Sequence, residues 1–281
     1  MKIIFSNKIK LAKTIATIKA QGTEKLHILS DFDRTLTYGY IDGKKTPSII
    51  SILRNGHYLS PDYAAKAHAL FDKYHTIEID PDIPLKEKKI MMDTWWRTHK
   101  KLLIASGLNK KDLEKIVKDP LIKFRKGVDK FLDNLHKQNI PLVILSASGV
   151  GEAIPIYFKN AKKNYPNIYY INNSLNWSKD GRALSIREPI IHILNKDEAV
   201  IKNFPQIYKE VAKRKNVILL GDDLGDVDMI TGFDYDNLIK IGFLNYNADK
   251  LRKLYSKNFD VIIEGDADFE YVNTLLKNLC T

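Results

Sequence analysis

Asp31-Phe32-Asp33-Arg34-Thr35 directly follows an apolar run, Leu26 to Leu29. Two carboxylates this close repel each other unless a proton or a cation separates them. A hard divalent ion that prefers oxygen ligands, Mg²⁺, meets that need. One carboxylate can then act as a nucleophile, while the other protonates a leaving oxygen and later deprotonates water. A polar turn closing a strand would use the same residue types, but the position after a first strand favours the chemical reading. A second acidic group, Gly221-Asp222-Asp223-Leu224-Gly225-Asp226, follows the run Val217 to Leu220. With Asp228 it holds more acids than one helix N-terminus needs. Asp222 is the candidate metal ligand here, whereas Asp223 and Asp228 read as capping residues. Leu145-Ser146-Ala147-Ser148-Gly149 comes after the run Pro141 to Leu145. A hydroxyl and backbone N–H groups at a helix start make an anion site, although Ser is also a common N-cap. Lys196, in Leu194-Asn195-Lys196-Asp197, adds a cation that carries no signal alone.

These groups need a scaffold that brings them to one edge. The runs at 26–29, 141–145, 167–171, 217–220 and 261–263 are continuously apolar and short. Such runs read as strands buried on both faces. Helix-period segments lie between most of them, at 127–138 and 248–256 among others. The alternation predicts an α/β protein with a Rossmann-like parallel sheet and helices on both faces. Right-handed crossovers then gather the strands' C-terminal ends on one edge, where ligands bind. The stretch 38–120 breaks the alternation and reads as helices at 48–53, 61–74, 85–106 and 110–117. It is expected to be a helical cap inserted into a core made of 1–37 and 121–281. Asp180-Gly181 predicts a hairpin turn. Ile4, Leu11, Ile15 and Ile18 share one helical stripe, which predicts an N-terminal helix docked on the domain rather than a targeting segment.

The 281 residues carry 45 Lys plus Arg against 34 Asp plus Glu, a net charge of +11, with 44% apolar residues. This excludes a disordered or low-complexity chain. The lysines are scattered, so the excess charge reads as a solvated surface rather than a nucleic-acid platform. No apolar run is long enough to span a membrane. Cys280 is the sole cysteine, which excludes an internal disulfide or a Cys-based zinc site and fits a reducing compartment, the cytoplasm.

Taken in order, D-x-D-x-T, Ser, Lys and G-D-x-x-G-D resemble the haloacid dehalogenase superfamily of aspartate-nucleophile phosphotransferases. Leu29 to Thr37, Ile77-Glu78-Ile79-Asp80-Pro81, His192 to Lys196, Leu219 to Asp226 and Ile239 to Asn245 are similar to the pyrimidine 5′-nucleotidase family, the cytosolic type III nucleotidases. The likeness runs from about Asn7 to the C-terminus. It implies a Mg²⁺-dependent phosphomonoesterase for nucleoside 5′-monophosphates, cytidine and uridine monophosphates foremost; 7-methylguanine also presents two donors to a carboxylate such as Glu78, which adds its monophosphate as an expected second substrate. It implies Asp31 as nucleophile and Asp33 as general acid and base. Asp31, Asp33 through its carbonyl and Asp222 would hold the metal, with Asp226 orienting that shell. Ser146, Ala147 and Lys196 would hold the phosphate. Glu78, expected in a loop between two cap helices, would accept hydrogen bonds from the base, since a carboxylate only accepts. Tyr74, Phe71, Trp95 and Trp96 suit a flat base, although the two tryptophans could equally pack the cap core. A monomer acting on a small nucleotide, with no nucleic-acid or membrane partner, is expected.

Three positions depart from the family pattern. The Ser146 loop has one extra residue after Ala147, which is expected to shift the wall on the ribose side. Asp223 stands where Ser is commoner, and Ile50 stands where a stacking aromatic or His is frequent. A phosphatase for another small ester such as phosphoserine, and a non-catalytic basic nucleic-acid-binding protein, are the competing readings.

Overall fold

The computed structural model describes residues 2–196, 203–231 and 234–281. The chain starts with β1 (Lys2–Phe5), α1 (Lys8–Gln21) and β2 (Leu26–Ser30). A small ribbon follows, β3 (Tyr40–Ile41) with β4 (Lys44–Lys45). Four helices come next: α2 (Ile49–Asn55), α3 (Tyr63–Ile79), α4 (Leu85–Ala105) and α5 (Lys110–Ile116). The chain then returns through α6 (Val128–Lys137), β5 (Leu142–Ser146), α7 (Ala153–Asn160) and β6 (Ile168–Asn172). A hairpin, β7 (Ser174–Trp177) and β8 (Ala183–Arg187), leaves the sheet at this point. The described part of the chain finishes with α8 (Pro205–Val211), β9 (Asn216–Gly221), β10 (Asn237–Leu244), α9 (Ala248–Asn258), β11 (Val261–Glu264) and α10 (Glu270–Cys280).

Seven strands form the main sheet in the order β1-β11-β10-β9-β2-β5-β6. All neighbours run parallel except β1, which pairs antiparallel with β11. Successive side chains of a strand face opposite sides, and the burial follows. Ile28, Ile144 and Leu220 enter one packed core, while Leu29, Val143, Leu145, Val217 and Leu219 enter the other. Continuous apolar runs are therefore what this sheet requires. β2 sits between β9 and β5, where the strand order reverses, and such a point opens a crevice beyond the carboxyl ends.

The N-terminal stripe is corrected by the structure. Ile4 belongs to β1, at Ile4↔Ile262 of the antiparallel ladder, and the helix begins only at Lys8, capped by Asn7 Oδ1. Leu11 and Ile18 are buried as expected. The strand β10 also exceeds what the apolar runs alone predicted.

In the helical stretch, Met92, Trp96, His99 and Leu103 recur at helical spacing on α4 and are buried. The pair α3 and α4 closes over a third, smaller cluster of Tyr74, Met92 and Trp95, to which Leu194 adds its side chain. The predicted hairpin turn is present, and β8 packs on α4. Backbone pairing between Asn109 and Arg182 ties the hairpin to the start of α5.

Candidate active site

The carboxyl ends of β2, β5 and β9 meet beneath α2, α3 and α4 in a cleft of about 490 Å³. It is lined by Asp31, Asp33, Glu78, Ser146, Ala147, Lys196, Asp222 and Asp226, and by Phe71, Trp95 and Trp96, whereas Tyr74, which the sequence also nominated, does not line it. Asp31 leaves β2 with its N–H bonded to the Leu220 carbonyl at 3.0 Å, so the tips of β2 and β9 are fixed to each other. Lys196 is 5% exposed, and its Nζ donates to Asp31 Oδ1 at 2.5 Å and to Asp226 Oδ1 at 2.9 Å. The other Asp226 oxygen, Oδ2, accepts the backbone N–H groups of Asp222 and Asp223, both at 3.0 Å. Gly221 permits this approach, because a Cβ there would lie 2.5 Å from the Asp226 Cβ. Asp222 meets Arg34 Nε at 3.6 Å through its carboxylate, and its carbonyl accepts from the Tyr255 hydroxyl at 2.5 Å.

Electrostatics follow from packing acids together away from water. Burial pushes the Asp31 carboxyl up to about 7 against the pull of Lys196, with Asp226 and Asp33 adding repulsion. Burial also raises Asp33, opposed by Arg34, Lys196 and the Ile49 amide at the start of α2. Asp222 is raised well above the carboxylate range by burial, which outweighs Arg34. Burial alone would lower Lys196, but Asp226 and Asp31 hold it above its usual value. Asp31, Asp222 and Asp226 offer carboxylate oxygens that all lie within 4.8 Å of one another. This all-oxygen donor set suits a hard divalent cation.

Another part of the lining is aromatic: Phe71, Trp95, Trp96 and His99. Tyr74, outside the lining, extends the stack, so that Tyr74, Trp95, Trp96 and His99 follow at centroid distances of 5.8, 5.5 and 5.8 Å. Trp95 and Trp96 are buried, and both also line the cleft. Trp95 Nε1 is buried with no partner among the described residues. Glu78 does not lie in an interhelical loop. It sits in the last turn of α3, accepts from His75 Nδ1 at 2.9 Å when that nitrogen carries the proton, and faces the cleft. Burial raises its carboxyl. Burial also lowers His99 to about 4, so this ring is neutral near pH 7.

Several supporting residues gave no local sequence signal. Arg125, 1% exposed, donates to the carbonyls of Thr35 (2.9 Å), Arg34 (2.5 Å) and Ala267 (2.7 Å), to Asn245 Oδ1 (2.7 Å) and to Asp266 Oδ1 (2.9 Å). It thereby holds the turn after Asp33, where Arg34 adopts φ 62°, a conformation costly for a side-chain-bearing residue. Asn173, fully buried, donates through Nδ2 to the Ala147, Ser148 and Ile191 carbonyls. It fastens the Ser146 loop to the segment that carries Lys196. A chain scan sees only an Asn pair after a strand and a basic residue before Gly127.

A switch-point crevice in a parallel sheet with a buried Asp–Lys–Asp network defines a hydrolase of the haloacid dehalogenase type. A solved phosphoserine phosphohydrolase-like protein from Francisella tularensis shares the fold, at 16% identity and TM-score 0.51 over 89% of this chain and 98% of that one. The family model "Pyrimidine 5′-nucleotidase (UMPH-1)" matches residues 34–280. The chain belongs to the pyrimidine 5′-nucleotidase family. It is similar to the 7-methylguanosine phosphate-specific 5′-nucleotidase of Gallus gallus, 34% identical over 94% of this chain and 91% of that protein. The Homo sapiens counterpart is 32% identical over 96% and 90%. A crystal structure of cytosolic 5′-nucleotidase IIIB bound to cytidine superposes with TM-score 0.90 at 28% identity, covering 99% of this chain and 93% of that one. The protein is a phosphoric monoester hydrolase, a 5′-nucleotidase. No helix among the described residues is long and apolar enough to cross a membrane.

Proposed function

We propose that the protein hydrolyses nucleoside 5′-monophosphates with flat, donor-bearing bases, cytidine and uridine monophosphates and 7-methylguanosine monophosphate, through a phosphorylated Asp31. The observation that carries this reading is that a buried carboxylate–lysine cluster and an aromatic wall with Glu78 line one cleft. Relatives named for 7-methylguanosine phosphate and a cytidine-bound neighbour support both base classes. An amino-acid phosphate would leave the aromatic wall unused.

Asp31, the backbone carbonyl of Asp33 and Asp222 would hold Mg²⁺, since both oxygens of Asp226 are engaged by Lys196 and two amides. The bound cation would screen Asp31 from Asp222 and offset phosphoryl charge. The Asp31 carboxylate attacks phosphorus, and the ester bond to the ribose 5′-oxygen breaks. Asp33 gives its proton to that oxygen, a role favoured by its raised pKa. Asp33 then takes a proton from water, which cleaves the phospho-Asp31 bond and restores the carboxylate. Lys196 and Ser146 bind the phosphoryl oxygens beside Ala147, and Asp226 keeps Lys196 in place. Residues 38–120 act as the cap that selects the base over the core formed by 1–37 and 121–281. The enzyme works as a monomer in the cytoplasm, without nucleic acid or membrane.

The test is phosphate release from a panel of nucleoside monophosphates, phosphoserine and p-nitrophenyl phosphate, with Mg²⁺ and with excess EDTA. Release from cytidine or 7-methylguanosine monophosphate that stops in EDTA and returns with Mg²⁺ is expected. Full activity in chelator, or turnover of phosphoserine alone, would sink the reading.

A further inference from the structure

Ser148 occupies an unusual position in the cleft. It lies in the loop after β5, and it lines the cleft although it is only 6% exposed. The loop is held firmly. The Ser148 N–H donates to Ser146 Oγ at 3.1 Å, its carbonyl accepts from Asn173 Nδ2 at 3.1 Å, and the Gly151 carbonyl accepts from Asn172 Nδ2 at 3.0 Å. Against this background the Ser148 hydroxyl is the exception. Its Oγ is buried and meets no hydrogen-bond partner among the described residues. A buried hydroxyl without a partner is costly, and such groups call for an explanation.

The position along the cleft identifies what this hydroxyl would meet. Two residues earlier is Ser146, at the tip of β5, which pairs with β2 at Ser30↔Ile144 just before Asp31, the residue that Lys196 holds. One residue later is Gly149, pressed so closely on Trp96 that a Cβ would lie 2.3 Å from the indole Cζ3. Ser148 therefore stands between the phosphate end and the aromatic wall. In a nucleotide the ribose occupies that interval. A serine hydroxyl both donates and accepts, as do the 2′- and 3′-hydroxyls of ribose.

We propose that Ser148 Oγ, an unpaired hydroxyl in a clamped loop between Ser146 and Trp96, binds a ribose hydroxyl and makes the enzyme prefer ribonucleotides over their deoxy forms. The inference rests on the nucleotidase reading given above. A site built to pair a substrate hydroxyl discriminates against the analogue that lacks it, because the protein group is then left unpaired.

The experiment measures kcat/KM of wild type and Ser148→Ala on the nucleotide hydrolysed fastest, on its 2′-deoxy and 3′-deoxy forms, and on p-nitrophenyl phosphate. Wild type should prefer the ribonucleotide over at least one deoxy form. In Ser148→Ala that preference should fall by roughly tenfold, mainly through loss on the ribonucleotide. The substitution removes one atom that no protein group holds, and turnover of p-nitrophenyl phosphate reports whether the site is intact. No ribose preference in wild type would overturn the inference, and so would an unchanged preference in the variant. An equal fractional loss on all substrates, p-nitrophenyl phosphate included, would place Ser148 on the phosphate instead and equally overturn it. Wild-type protein that releases phosphate from no nucleotide would instead defeat the nucleotidase reading itself.

Discussion

At the strand-tip end of the cleft, charge meets charge: Lys196 lies between Asp31 and Asp226, and Arg125 holds the turn after Asp33 with five hydrogen bonds. At the cap end, ring meets ring, from Tyr74 through the tryptophans to His99. The first end is held by directional contacts to buried charges, which fix atoms in place and are costly to break singly. The second end is held by apolar area and stacking, which favour flatness over one exact arrangement. The difference separates two tasks. Under the proposed function the charged end would act on the phosphoryl group whatever it is attached to, and the aromatic end would decide what may be attached.

That division makes predictions that separate the two ends. The largest effect belongs to Asp31→Asn, which keeps the shape but removes the attacking charge. Turnover should fall by about a thousandfold or more on every substrate, nucleotide or not. Single-substrate rates with cytidine monophosphate and p-nitrophenyl phosphate check it, and more than about a tenth of wild-type turnover would exclude the covalent route. Next comes Arg125→Met, which leaves the Arg34, Thr35 and Ala267 carbonyls without this donor and Asp266 without its ion pair. A stability loss of about 3–5 kcal/mol, read by urea titration, is expected. In the folded fraction kcat should fall about a hundredfold with equal force on all substrates. A substrate-dependent loss would mean that the turn also serves the cap. The smallest effect is that of Glu78→Ala, which should lower kcat/KM on cytidine monophosphate by roughly ten- to a hundredfold and leave p-nitrophenyl phosphate much less affected. If the two substrates fell together, Glu78 would belong to the charged end after all.

The same contrast explains what could be read in the sequence. β2, β5, β6, β9 and β11 were legible because packing on both faces of the sheet favours short, mostly apolar runs. The strand β10 is interrupted by Lys240 and Gly242, which obscures its apolar run. β1 is a four-residue edge strand whose Ile4 fell by coincidence on the stripe of α1. The acids at the strand ends were legible as local clusters, and the parallel topology brought them together. Glu78 was misplaced because α3 continues past Tyr74 through β-branched Thr76, Ile77 and Ile79, poor helix formers of which Ile77 packs against the cluster of Tyr74, Met92 and Trp95. Arg125 and Asn173 escaped because their roles exist only through contacts with residues far away in the chain.

The tryptophan placement has an optical consequence. The chain holds three tryptophans: Trp95 and Trp96 on α4, and Trp177 at the end of the hairpin strand β7. None stands in the main sheet. Excitation at the red edge of the protein absorption band therefore illuminates the helical roof and its hairpin while the sheet stays dark. The Trp95 and Trp96 rings, 5.5 Å apart and inclined by 16°, are close enough for their transitions to couple, which gives this pair its own near-ultraviolet dichroism. Under the proposed function, a base arriving at that wall changes emission and dichroism together in the unlabelled protein, so its entry can be timed without adding a dye.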